Sequence, residues 1–319
     1  MKKLLLTLLL SLPLIGFAND RLIIGAEGGK GVKIIDPAAN NKVLWQHPVR
    51  AVHDLQLLDS GNILTQSDMQ NLIEIAPDQS VVWRYNSATT NGNQGKKVEV
   101  HSFQRLNNGH TLIAESGIPR FIEVNSQGKL LKSMPMQVSK AHAHTNTRIT
   151  RKLDNGNYLV AHEGDQEVKE YSPDGKVVWQ FKIPLFDKAP AKGHGPEAWG
   201  GKVFSAIKLK NGNYLIATGN GHSVLEVTPE KKIVWHLKQN DIPSVTLAWV
   251  TCLQELNNGN FIIGNCHAGP DHPQIIEVNR DKKLLWSYRD FKNFGNALAN
   301  IIVVDGKRAQ QLRQRLAAE

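Results

Sequence analysis

The stretch 144-HTNTRITRKLDNGNYLVAHEGDQEVKEYSPDGKVVWQFK-182 reads as four short strands in succession. A first run over 148–153 is closed by the turn Asp154-Asn155-Gly156-Asn157, whose Asn-Gly pair tolerates positive φ at little cost. Residues 158–161 form a second run. Residues 168–171 form a third, ended by Ser172-Pro173-Asp174-Gly175, and 177–181 a fourth. One such sheet has two faces to cover and two free edges, so it requires neighbours of its own kind.

The neighbours are present. The turn glycine recurs at Gly61, Gly109, Gly156, Gly212, Gly259 and Gly306. Third strands recur from Val32, Leu72, Phe121, Val224 and Ile275. Fourth strands carry Trp45, Trp83, Trp179, Trp235 and Trp286, with Lys132 in the third unit. A four-strand period of this length predicts an all-β fold, a β-propeller. The first unit, from Arg21, lacks a first strand, and the last strand, 299–304, lacks partners after it. The two are expected to share one blade. That gives six blades of four antiparallel strands over 19–306 and closes the ring.

The N-terminus places Lys2 and Lys3 before an apolar run over 4–17, with Gly16 and Ala18 at the positions a signal peptidase reads. Residues 1–18 are expected to be a cleaved secretory signal, too short for a membrane span. The expected address is the periplasm. The formal charge is +9, and removal of Lys2 and Lys3 lowers it to +7. The basic residues are dispersed among turns and the basic tail 307–319, and no nucleic-acid-binding motif accompanies them, so no nucleic-acid partner is expected. The expected partner is a small molecule or glycan, and the expected state a monomer. Leu312 and Leu316 stand at helical spacing in the tail, which is either a short docking helix or disordered. Cys252 and Cys266 flank one hairpin. If Leu256 faces Phe261, Cys252 faces Asn265 and the thiols diverge; a shift of one residue brings them opposite. The disulfide stays open at this level.

In a propeller the loops entering strand one and those joining strands two and three open on one face. Loops entering strand one contribute His53, His101, His142, His144, Trp199, Lys202 and Trp249. Loops leaving strand two contribute Glu27, Gln66, Glu115, Arg120, His162, Glu163, Asn220, His222 and His267. Seven of the twelve histidines fall in these two sets. His53 and His101 occupy the same place in their repeats, so each also suits a structural role, bonded to a neighbouring blade. The long loop 184–201, with His194 and Trp199, suits either a functional lid or a merely mobile segment. His47, His110 and His236 read as surface residues.

Three chemistries fit the pooled set. His53, His101 and His144 suit a divalent metal, and His142-Ala143-His144 is an HxH pair. A histidine suits a nucleophile or general base, with Arg120 or Lys202 stabilising an anion. Binding alone is the third, with Trp199 and Trp249 stacking on sugar rings while His162, His222, His267, Glu115 and Asn220 bond hydroxyls.

The repeat L-x-N-G-N-[YF]-L-[IV]-A followed by E-V-x-P-[DE]-G-K-x-V-W resembles the bacterial PQQ-like and arylsulfotransferase-like propellers. Six blades and no adjacent cysteines depart from the quinone-dependent members, so bound PQQ is not expected. The resemblance to arylsulfotransferases implies axial histidines at His53, His101, His144 and His267, one of them modified during turnover. Some propellers are polysaccharide lyases using His and Tyr, but strand-one tyrosines are lacking here. An exported binder, a transferase or lyase at the same pocket, and a protein-interaction scaffold are the readings the sequence leaves.

Overall fold

A computed structural model describes residues 20–318; the expected signal segment lies outside the described residues. These residues form six sheets of four antiparallel strands, each blade running from an inner strand outward in chain order. The exception closes the ring: Asn300–Asp305 is the inner strand of the blade continued by Arg21–Glu27, Gly31–Asp36 and Lys42–His47. The pairing runs from Arg21 opposite Asp305 to Ala26 opposite Asn300. The other inner strands are Leu55–Leu57, Glu99–Arg105, Thr150–Lys152, Ser205–Lys208 and Trp249–Glu255.

The repeated Glu and Trp have a shared physical reason. Glu74, Glu170, Glu226 and Glu277 of the third strands stand opposite Trp83, Trp179, Trp235 and Trp286 of the fourth, and Glu123 stands opposite Lys132. Four of these Glu accept from the Asn that follows the turn Gly of their own blade, Asn62 at 2.6 Å, Asn157 at 2.5 Å, Asn213 at 2.7 Å and Asn260 at 2.7 Å, while His110 holds that place in the third blade. The Trp indole reaches outward to the next blade. Trp45, Trp83, Trp179 and Trp235 donate Nε1–H to the carbonyls of Pro77, Ser126, Pro229 and Arg280 at 2.7–3.0 Å. Trp286 instead carries the Arg21 guanidinium 5.0 Å above its ring. Lys132 replaces the latch with an ammonium 5.5 Å from the Tyr158 ring. An amphipathic indole suits this place, with its body buried and its polar edge bonded.

The tail is a helix, Gly306–Ala317, and it docks on the chain's own first blade. Leu312 and Ala309 are buried with Leu22, Val304 and Leu57. Arg313 donates to Asp36 at 2.8 Å and to the Arg21 carbonyl at 3.0 Å.

Both cysteines are buried free thiols. The register differs from the simple expectation. Glu255, not Leu256, opposes Phe261, and an irregularity between Val250 and Leu253 leaves Cys252 without a cross-strand partner, while Trp249 stands opposite Cys266. Gly264 makes room for the displaced thiol: a Cβ there would lie 2.3 Å from the Cys252 sulfur. Burial pushes the Cys252 thiol up to about 11.

Candidate functional site

All inner strands run the same way, so their starts converge at one end of the axis and their ends at the other. A cavity of about 430 Å³ opens at the starts, bordered by His53, His144, Arg148, Lys202, Trp249 and His267. A second, of about 580 Å³, lies at the ends, bordered by Leu57, Arg105, Arg151, Gln254, Ile302 and Arg308. Between them sits Asp54, which is fully buried. Its carboxylate accepts from both Arg151 Nη atoms at 2.7 and 2.8 Å, from Ser102 Oγ at 2.7 Å and from Asn300 Nδ2 at 3.1 Å. Four blades are thus tied to one carboxylate on the axis.

The histidines of the first cavity form a connected set. His53 and His101, in equivalent places of adjacent blades, meet Nδ1 to Nδ1 at 2.9 Å. His101 Nε2 lies 3.0 Å from Glu99 Oε2 and 3.2 Å from the Ala143 carbonyl of the next blade. His144 Nδ1 meets the same Glu99 oxygen at 2.9 Å. Arg148 Nη1 is 3.3 Å from His101 Nδ1, while its Nη2 abuts Glu163 as an ion pair without hydrogen-bond geometry. An irregularity between Val100 and Ser102 takes His101 out of the regular ladder, and its ring meets the carboxylate of Glu99 two residues earlier.

Burial sets the charge states. Desolvation, with smaller repulsions from His101, Arg148 and His144, holds His53 well below the usual imidazole value. Desolvation also lowers His101 to about 4, against the opposing pull of Glu99. Glu99 falls to about 2, chiefly through its hydrogen bond with His101. At neutral pH both imidazoles are uncharged beside an ionised carboxylate.

The opposite wall is aromatic. The His194 ring stacks on Trp249 with centroids 5.0 Å apart and lies 5.3 Å from His267. Lys202 Nζ stands 5.7 Å from the Trp249 ring and 3.9 Å from Glu163. Trp249 also packs with Ile149, Phe204 and Cys266, so it is both core and wall. The long loop brings His194 to the cavity through the bridge Ala191–Trp199. Glu27 borders the same space, and desolvation raises its carboxyl.

Several expected residues lie elsewhere. Arg120 and Glu115 pair with each other at 2.6 Å, and Arg120 also donates to Asn93 at 2.9 Å. Their network, with the buried Ser87 and Asn93, pins the 87–97 loop to its neighbour, and Arg120 does not border the axial cavity. His162 is buried with Nδ1 on the Asn146 carbonyl at 2.6 Å and Nε2 on Tyr171 at 2.8 Å. His222 meets the carbonyls of Ala248 and Ala198 with its two nitrogens. Asn220 accepts from the Lys202 amide at 2.9 Å. Both rings and this amide join segments rather than face open space. Trp199 turns outward, donating to the Leu185 carbonyl at 3.2 Å and stacking under Lys188. The HxH pair does not chelate: His142 Nδ1 accepts from the His144 amide at 3.2 Å. Among the described residues, the three whose ligand atoms fall within 4.8 Å of one another are Glu99, His101 and His144. His47, His110 and His236 are partly buried rather than fully exposed.

Glu99 and Arg148 were not singled out from the sequence. The pattern Glu99-Val100-His101 carried the signal for the first. Nothing local marked Arg148, which reads as an ordinary strand residue.

The model of the Mal s 1 allergenic protein-like family matches residues 35–247. The chain belongs to that family. Among solved structures it is similar to a protein of unknown function from Bacteroides caccae, at 24% identity and TM-score 0.72, with 89% of this chain and 98% of that one covered. It is also similar to virginiamycin B lyase from Staphylococcus aureus, at 10% identity and TM-score 0.56, covering 86% of each chain. A third is the extracellular domain of a hybrid two-component system of B. thetaiotaomicron, at 15% identity and TM-score 0.55, covering 88% of this chain and 35% of that one. These likenesses extend to the fold. No curated protein matches the chain. The PQQ-like and arylsulfotransferase-like resemblance is thereby narrowed to a shared β-propeller architecture. No helix among the described residues is long and apolar enough to cross a membrane.

Proposed function

We propose that the chain is an exported propeller that binds a small polar or anionic ligand, a glycan fragment by class, at the cavity where the inner strands begin. One observation carries this reading: His53, His144, His194 and His267, from separate segments, border one space of about 430 Å³ together with Trp249 and Lys202. That volume lies within the ordinary range for small-ligand sites, and an aromatic wall facing a few polar groups is their usual composition. The ammonium of Lys202 suits a ligand carboxylate or sulfate, and the rings suit a sugar face.

A transferase or lyase at the same cavity is the second reading, favoured by the hydrogen-bonded series His53–His101–Glu99. Arg148 and Lys202 replace Arg120 in it as the cations available to an anion. Virginiamycin B lyase, one of the similar folds, has a catalytically inactive variant with an alanine in place of a histidine, solved with quinupristin. A scaffold role has less support, because the exposed apolar side chains of the outer strands are dispersed, with Val82, Leu131, Val178 and Leu285 each in a separate blade and Ile233 beside Val234 in a fifth.

Thermal-shift and calorimetric screens against uronates, sulfated saccharides and neutral sugars test the binding reading. Saturable stabilisation is expected from an acidic saccharide, weakened roughly tenfold or more in Lys202→Ala through loss of a charge-assisted bond. Binding that survives unchanged in both Lys202→Ala and His144→Ala would place the ligand elsewhere.

A further inference from the structure

We propose that Glu99 and His101 fix His53 in the tautomer that turns the Nε2 lone pair into the cavity, making His53 a general base for a ligand that carries a transferable proton beside an anionic group. The inference deepens the reading of this cavity as a ligand site and rests on it for the ligand alone.

The partners of His101 decide its tautomer. On one side Nε2 faces two acceptors, the Glu99 carboxylate at 3.0 Å and the Ala143 carbonyl at 3.2 Å. On the other, Nδ1 faces Arg148 Nη1 at 3.3 Å, and a guanidinium can only donate. His101 therefore carries its proton on Nε2 and accepts on Nδ1. The opposite tautomer would set donor against donor at Arg148 and acceptor against acceptor at Glu99. His53 Nδ1 lies 2.9 Å from that same accepting nitrogen, so His53 must donate from Nδ1. A neutral imidazole protonated on Nδ1 has its lone pair on Nε2. His53 borders the cavity, and no described residue hydrogen-bonds its Nε2. These assignments follow from the hydrogen-bond network.

The same partners bear on the metal reading. An ion shared by Glu99, His101 and His144 would take the place of the protons on His101 Nε2 and His144 Nδ1. His101 would then need its proton on Nδ1, against Arg148. The donor set fits protons better than a cation.

The step balances simply. The bond between the ligand atom and its hydrogen breaks with the electron pair staying on the ligand, and a bond from hydrogen to His53 Nε2 forms. The imidazolium donates to His101, whose Nε2–H donates to ionised Glu99. The new anion shares the cavity with Lys202 of the opposite wall and with Arg148 beside His101. Glu99 and His101 are positioning residues in this scheme, since neither needs to touch the ligand.

Long-range ¹H–¹⁵N correlation spectra of the imidazoles in the full chain, at neutral pH and without ligand, read the tautomers directly. The expected result is His53 protonated on Nδ1 and His101 on Nε2, with Glu99→Gln blurring both toward a tautomer mixture. His53 protonated on Nε2, His53 doubly protonated, or a wild-type pattern retained in Glu99→Gln would overturn the proposal. So would loss of the His101 Nε2 proton on adding equimolar zinc, which would assign the cluster to a metal. Because the spectra need no ligand, a failure of the binding reading leaves this result standing, and the reverse holds.

Discussion

A chain ending before residue 299 is expected not to fold. The segment removed contains the inner strand Asn300–Asp305 and the helix Gly306–Ala317. It buries Ile301, Val303, Val304 and Leu312, each at most 4% exposed. At about 1.5–3 kcal/mol for each buried side chain, these four are worth roughly 6–12 kcal/mol. That equals the whole net stability of a typical domain, about 5–15 kcal/mol. The loss also bares the backbone groups of Arg21–Glu27, an invitation to edge pairing between molecules. Size-exclusion chromatography and near-ultraviolet circular dichroism are expected to show aggregate and no fixed aromatic environment. Adding the peptide 299–319 during refolding is expected to recover native-like monomer. A truncated chain that stays monomeric with a native spectrum would mean that the shared blade does not hold the ring.

The second large effect is expected at the axis. Asp54→Ala removes the carboxylate that binds Arg151, Ser102 and Asn300 from three other blades. Breaking a buried ion pair by deleting one partner costs about 3–5 kcal/mol. Arg151 retains some contact with the second cavity, at 29% side-chain exposure, so water there solvates part of the stranded charge. A loss near the lower limit, about 3 kcal/mol, is expected. Asp54→Asn is expected to lose nearly as much, because an amide nitrogen facing a guanidinium sets donor against donor. Urea unfolding curves followed by tryptophan fluorescence give the comparison. A loss under about 1 kcal/mol in both variants would make the axial carboxylate a bystander.

The architecture was legible because it is periodic. Turn glycines, the third-strand Glu and the fourth-strand Trp repeat with the blade, and each does the same job in most blades. Even the irregular Lys132 falls opposite Glu123. The orphan strand at the C-terminus could be assigned because a first blade without an inner strand leaves one vacancy. The site was legible only as a face. His53, His101, His144, Lys202, Trp249 and His267 do gather at or just beneath the axial cavity. Which loop residues turn inward depends on partners that a repeat does not encode. Arg120 is held by Glu115 five residues earlier in sequence, a neighbour across its own hairpin. His162 and His222 bond main-chain carbonyls at both segment junctions. Trp199 follows the path of a loop, 183–204, that is longer than the equivalent connections 87–98, 136–149 and 238–248 of other blades. The cysteine register failed for a similar reason, since an irregular strand is invisible to a count by twos.

The decisive measurement concerns His53, on which the account of the cavity turns. Its neighbours are His101, His144 and Arg148, with Glu99 behind His101, and burial is the main cause of its lowered pKa. A group with a depressed pKa keeps its lone pair as pH falls through the ordinary imidazole range. Carbethoxylation of His53 by diethyl pyrocarbonate, followed by peptide mass spectrometry, is therefore expected to slow much less between about pH 7.5 and 5.5 than that of a free imidazole of ordinary pKa, which slows by about tenfold. A His53 rate that falls in step with that of the free imidazole, or a His53 that resists the reagent throughout, would contradict a neutral imidazole with its lone pair open to the cavity.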